Sequence, residues 1–228
     1  MDLGFFITFE GVEGCGKTTQ LRLLQERLQA AGEKVTATRE PGGCPIADQM
    51  RAILLDAGNS AITPLSELLL YAAARAQHVQ EVIVPALSRG EIVLCDRFTD
   101  ATVAYQGHGR GLDLATIAEL NRLATGGVEP QLTLLIDCPV EIGLSRALAR
   151  IEAGSGAREE RFELESVRFH QRVRQGYLGL AQAFPERFVV IDGSGDVAQT
   201  ERLVRAALAD RIPVRDAAQG LLAPRTDC

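Results

Sequence analysis

The chain has no tryptophan, and Lys17 and Lys34 are the only lysines among its 24 Lys and Arg side chains. Neither lysine stands in an N-K-x-D sequence, so the guanine-reading motif of a GTPase switch is missing. Aromatic residues make up only 5%, and no basic stretch interleaves with them as a single-strand nucleic-acid path requires. The net charge of −6 gives a whole-molecule field that repels a polyanion such as DNA. Five cysteines, Cys15, Cys44, Cys95, Cys138 and Cys228, form no CxxC pair and no metal-ligand spacing. That odd, scattered count suits reduced thiols in the cytosol better than a disulfide framework. The opening MDLGFFITFEG carries no cationic segment, and its apolar run is too short for a signal sequence or membrane span. These absences together predict a cytoplasmic protein without membrane or nucleic-acid partners.

Short apolar strands alternating with longer helical stretches are what the chain does contain. Strands are predicted at 5–9, at KVTATRE, at EIVLCD (91–96), at QLTLLID (131–137) and at FVVID (188–192). Helices are predicted at 18–31, stopped by Gly32, and at 46–56, 65–88, 114–125, 140–151, 160–184 and 197–210. Strands apolar on both faces and separated by helices indicate an α/β fold with a parallel sheet covered on both sides. The length of 228 residues is enough for one large domain with its own core. The reading is a single domain over 1–212, with a polar, small-residue lid at about 152–161 and a loosely ordered tail over 213–228.

The segment EGVEGCGKTT, residues 10–19, follows the first strand and opens the first helix. It satisfies G-x-x-x-x-G-K-[ST], the phosphate-binding loop. Gly11, Val12, Glu13, Gly14, Cys15 and Gly16 curl the backbone so that N–H groups converge on an anion, and the helix adds its positive end. Lys17 reaches the β and γ phosphates, Thr18 offers a hydroxyl to Mg²⁺, and Thr19 continues the loop into the helix. Asp96, ending an apolar strand, fits the acid that stands beside the metal. ATP and Mg²⁺ are the implied cofactors.

The loop identifies a donor but no acceptor. Arginines supply the rest: Arg39 after the second strand, Arg51 and Arg75 on helices, Arg97 directly after Asp96, and Arg146, Arg150, Arg158 and Arg161 around the lid. So many guanidiniums suit the neutralisation of two phosphate groups.

The pieces FEGVEGCGKTTQ, TREPGG, Tyr71-Ala-Ala-Ala-Arg75, DRF, AYQGHGRG and VVID, in that order, resemble the thymidylate (dTMP) kinase family over residues 5 to about 192. The resemblance implies a P-loop kinase three-layer fold, a five-stranded parallel sheet and a typically homodimeric enzyme of dTTP biosynthesis. It would transfer the ATP γ-phosphoryl group to dTMP, giving dTDP and ADP. It implies that Glu13 contacts the 3′-hydroxyl of the acceptor sugar, that Arg51 and Arg97 hold the acceptor phosphate, and that Arg39 and Pro41 belong to the substrate-binding set. Tyr71, where the family usually has phenylalanine, stacks on the base, which Arg75 hydrogen-bonds; Thr102, Tyr105 and Gln106 line the nucleoside. Arg146 serves the donor nucleotide. Lys17, Arg97, Asp96 and the lid arginines Arg150 and Arg161, with Arg158 as substitute, carry the chemistry. Gly14 is arginine in some relatives, so here the lid is expected to supply that cation. Ala101 and Cys44 replace a usual serine and threonine, which keeps a kinase for another pyrimidine monophosphate such as dUMP in view. A nucleotide-dependent switch is the alternative of a different class.

Overall fold

The computed structural model describes residues 4–153, 161–209 and 211–212. Five parallel strands, β1 (Phe5–Glu10), β2 (Val35–Arg39), β3 (Ile92–Asp96), β4 (Leu132–Asp137) and β5 (Phe188–Asp192), form one sheet in the order β2-β3-β1-β4-β5. Alternate side chains of β1 and β3 feed different cores, as the two-residue period of a strand requires. Ile7, Phe9 and Leu94 join one cluster with helical Leu21, Leu24 and Leu28. Phe6, Val93 and Cys95 join another with Val79, Ile83 and Ala86. Covered on both faces, the sheet has the expected three-layer α/β architecture.

The helices are α1 (Lys17–Ala30), α2 (Pro45–Leu55), α3 (Pro64–His78), α4 (Val84–Ser88), α5 (Thr99–Thr102), α6 (Leu114–Thr125), α7 (Val140–Glu152), α8 (Val167–Ala183) and α9 (Val197–Leu208). Three departures from the sequence reading stand out. The expected helix over 65–88 is divided, with a π-helical stretch at Val79–Ile83 between α3 and α4. Pro85 has no N–H and its ring crowds the preceding turn, so a regular α-helix cannot run through it. Second, α5 continues into another π-helical stretch at Val103–Gly109, in a region where Gly107 and Gly109 hide the helical signal. Third, the helix expected from 160 begins at Val167, where the Ser166 hydroxyl accepts the Phe169 N–H as N-cap. No helix among the described residues is long and apolar enough to cross a membrane.

Strand register prepares the site. Arg39 and Phe9 both pair with Asp96 across neighbouring strands. The carboxyl ends of β1, β2 and β3 therefore finish level, and everything that follows them in sequence crowds one edge of the sheet. Most of the expected lid, Arg158 included, and the tail 213–228 lie outside the described residues.

Candidate functional site

The first glycine of the phosphate loop follows β1 directly, and α1 begins at Lys17 behind Gly16, whose left-handed φ of 98° turns the chain into the helix. No side chain caps that helix start, so its first amides are free for an anionic ligand. Lys17, only 7% exposed, folds over the loop and donates to the Val12 carbonyl at 2.8 Å. The Thr18 hydroxyl donates to Asp96 Oδ2 at 2.5 Å. A hydroxyl and a carboxylate are hard oxygen donors. This set fits Mg²⁺, which takes few protein ligands and leaves the remaining positions to water and phosphate.

Beside the loop opens a cleft of about 780 Å³. Arg97 forms part of its floor in an unusual backbone state, as the one non-glycine residue among those described with positive φ, 70°. Its guanidinium donates to the Gly11 carbonyl at 2.8 Å, to the Tyr177 hydroxyl at 3.1 Å and to Glu13 Oε1 at 3.1 Å, and it lies over the Tyr105 ring. So many contacts on the side chain hold this backbone state in place. Glu13 also accepts a short hydrogen bond from the Tyr105 hydroxyl. His170 Nδ1 approaches Glu13 Oε2 to 3.0 Å, close enough for a charge contact but outside hydrogen-bond geometry. Burial alone would raise the Glu13 pKa, yet His170, Arg97 and Lys17 together hold it down to about 2. Glu13 is thus a fixed anion among cations.

The far end of the cleft is walled by Tyr71, Thr102, Gln106 and Phe162. Arg75, 2% exposed, reaches into it from α3. Its Nε donates to Glu40 Oε2 at 2.7 Å, Nη1 to Asn121 Oδ1 at 2.7 Å, and Nη2 to the Phe98 carbonyl at 3.1 Å and Thr102 Oγ1 at 3.0 Å. Four of five N–H donors are thereby committed to protein partners, leaving one Nη1 hydrogen for a ligand. A second, smaller cleft combines Thr19 with Arg146 and the turn after β5. The glycine-rich loop thus borders two recesses, one with an aromatic and polar wall.

The family model described as thymidylate kinase matches residues 9–204. The chain belongs to the thymidylate kinase family. It is 79% identical to the thymidylate kinase of Citrifermentans bemidjiense over 99% of this chain and all of that one. It is 82% identical to that of Geobacter sp. strain M21, over 92% of this chain and 93% of its relative. Among solved structures, the thymidylate kinase of Ehrlichia chaffeensis superposes with a TM-score of 0.71 at 36% identity, covering 90% of this chain and 98% of that one.

Against this background, most residues singled out from the sequence converge on the clefts. Gly14, Lys17, Thr18, Arg39, Pro41, Arg51 and Asp96 line the larger cleft with Glu13, Arg97, Tyr71, Arg75, Thr102, Tyr105 and Gln106. Arg51 donates to the Pro41 carbonyl at 2.8 Å. Arg39 sits 3.3 Å from Asp48, half exposed. Cys15, Gly16 and Thr19 line the smaller cleft. Arg146 donates to the carbonyls of Gly193, Ser194 and Gly195, so it shapes that cleft's rim. Arg150 borders both clefts and pairs with Glu163 at 3.5 Å.

Arg161 lies apart from both clefts. The lid reading made it a phosphate-facing cation, but it is buried at 8% exposure and lines neither cleft. Its Nε donates to the Leu54 carbonyl at 2.5 Å and its Nη2 lies 2.7 Å from Glu67 Oε2, an ion pair by distance. A buried carboxylate outcompetes solvent for a neighbouring guanidinium, and no spacing in the sequence announces that partner.

Gly14 gains a physical reason. A Cβ there would meet the Gly143 carbonyl oxygen of α7 at 1.9 Å. With α7 packed this closely, an arginine at position 14 has no room.

Sequence reasoning missed Glu10, Glu40, His170 and Tyr177. Glu10 accepts the Phe98 N–H and the Tyr177 hydroxyl, each at 2.7 Å, and so pins both sides of Arg97. Glu40 holds Arg75 and also His78, at 2.9 Å. The second of these had a sequence signal: Glu40 lies inside TREPGG, where only its neighbours were singled out.

Proposed function

We propose that the chain transfers the γ-phosphoryl group of ATP to the 5′-phosphate of dTMP, giving dTDP and ADP. The observation that carries this reading is the adjacency of Asp96 and Arg97. One faces Thr18 of the phosphate loop, while the other lies in the cleft that ends at Tyr71, Arg75 and Thr102. Donor phosphates bind over the loop, with Lys17 and the α1 amides around them. The acceptor nucleotide lies in the larger cleft, its base against Tyr71 and within reach of the remaining Arg75 hydrogen, its phosphate beside Arg97, Arg39 and Arg51.

A phosphate monoester is largely dianionic near neutral pH, since its second pKa is about 6. Its oxygen needs no general base. Rate therefore comes from in-line alignment and from cations facing the charge that spreads over the transferred group. That Lys17, Arg97 and Arg150 all line the larger cleft supports giving them that task. Thr18 and Asp96 would hold Mg²⁺, which would supply charge neutralisation to the phosphates. Glu13, ionised throughout the physiological range, accepts the sugar 3′-hydroxyl and keeps Arg97 oriented.

The enzyme acts in dTTP biosynthesis in the cytoplasm and works as a homodimer. Support for the dimer is the apolar surface left by the packed pair α2 and α3, where Ile46, Ile53, Leu65 and Leu69 are each about half exposed. ADP release with Mg·ATP, measured against dTMP, dUMP, dCMP, dGMP and AMP, tests the reading. A strong preference for dTMP is expected. Equal turnover of dUMP would instead assign the acceptor site to pyrimidine monophosphates generally, and hydrolysis indifferent to every acceptor would overturn the kinase reading.

A further inference from the structure

Glu67 lies on α3 one turn before Tyr71, is 1% exposed and does not line the cleft. Three side chains nevertheless converge on it. Gln106 Nε2 donates to its Oε1 at 2.7 Å. Arg110 donates from Nε to Oε1 at 3.3 Å and from Nη2 to Oε2 at 3.2 Å. Arg161 completes the set through the ion pair to Oε2 already described. Arg110 is shared with Glu165 at 2.5 Å, so two carboxylates balance two guanidiniums.

Each partner of Glu67 is tied to the cleft wall. Gln106 lines it directly. Arg161 and Arg110 stand over the Phe162 ring, 4.6 and 5.6 Å from its centre. Phe162 in turn meets Tyr105 edge-on at 5.4 Å and Tyr71 at 6.5 Å. The carboxylate therefore sits behind the nucleoside end of the cleft and fixes a polar side chain and an aromatic side chain in the same wall.

We propose that Glu67 is a positioning residue for the acceptor nucleoside: it touches no substrate, and it orients Gln106 and Phe162 against the sugar and base. The proposal rests on the acceptor reading above. A freed Gln106 amide and an unanchored Phe162 present the wrong surface to the nucleoside, while the phosphate loop and the donor cleft keep their geometry. Losing hydrogen bonds to a charged group at a buried site corresponds to roughly a tenfold change in an equilibrium constant or more.

The test is steady-state kinetics on the full chain carrying Glu67→Gln, Gln106→Leu and both together, with wild type in the same assay. Glu67→Gln is expected to raise KM for dTMP by about tenfold with KM for ATP within about twofold. The double variant is expected to be little worse than the worse single one, because Glu67 acts partly through Gln106. Glu67→Asp keeps a charge for Arg110 and Arg161 but withdraws it by one methylene from Gln106, so the same selective rise in KM for dTMP is expected in a protein that keeps its buried ion pairs. Unchanged KM for dTMP with a lowered Tm, or equal rises for both substrates, would reduce Glu67 to a structural ion-pair partner and overturn the proposal. Wild type failing to use dTMP would instead overturn the reading of function, which separates the two failures.

Discussion

Thr18 and Asp96 are 78 positions apart in the chain, yet the threonine hydroxyl donates to the aspartate at 2.5 Å. The contact follows from the sheet. β1 and β3 are parallel neighbours in register Phe9 to Asp96, so whatever leaves β1 and turns into α1 passes over the end of β3. The pair is what a cation bridging protein and phosphate oxygens requires. Asp96→Asn keeps the shape and loses the anion. It is expected to lower kcat by roughly a hundredfold or more and to shift the Mg²⁺ concentration for half-maximal rate upward. A magnesium titration at saturating ATP and dTMP checks this, and an unchanged midpoint would remove Asp96 from the metal site.

Gly14 and Gly143 place the backbone of the loop against the backbone of α7. Adding one methyl group at position 14 brings carbon to 1.9 Å from a carbonyl oxygen, at a φ of 67° that disfavours any side chain. Gly14→Ala is therefore expected to cost about 2 kcal/mol or more in stability and to raise KM for ATP. Thermal melts with and without ATP read both effects. A variant as stable as wild type would show that α7 moves away freely.

Glu10 is a buried carboxyl whose pKa is raised to about 8, first by burial and next by the Asp100 charge, against the opposing pull of Arg97. In the unfolded chain the same group titrates near 4.5. The native state thus holds a proton that the unfolded state releases, so this contribution to stability is present in full below pH 4.5 and is lost as pH rises to about 8. Urea midpoints measured from pH 5 to 8 are expected to fall with pH in wild type and to fall less in Glu10→Gln. Parallel slopes in the two proteins would show that Glu10 is ionised in the native state.

Glu40→Gln is the corresponding experiment on the nucleoside side. Arg75 is as deeply buried as its partner, and removing the anion strands the guanidinium. A loss of about 3 kcal/mol in unfolding free energy is expected, together with weaker dTMP binding. Chemical denaturation gives the first and calorimetric titration of dTMP the second. Intact stability would mean that Asn121, Phe98 and Thr102 suffice to hold Arg75.

Much of this protein was readable in its residues because the signals are local. The loop from Gly11 to Thr18 is a contiguous spacing that the backbone must curl to satisfy, and β1 before it and α1 after it follow from short-range periodicity. The five strands and their order-forming alternation with helices were legible for the same reason, as was Asp96 at a strand end. Where a helical signal is interrupted, at Pro85 or among the glycines of 105–111, the reading lost the π-helical turns, because a bulge depends on how neighbouring turns are packed. The partners of buried charge were not legible at all. Glu67 binds Arg161 and Arg110, Glu40 binds Arg75, and Glu13 meets His170 across distances in sequence that leave no pattern. A carboxylate taken out of water must find a cation or a donor wherever the fold brings one, and only the packing of α3, α8 and the strand ends decides which. So the amino-acid sequence determined by itself the glycine-rich loop between β1 and α1, and the tertiary structure alone decided that Arg161 faces Glu67.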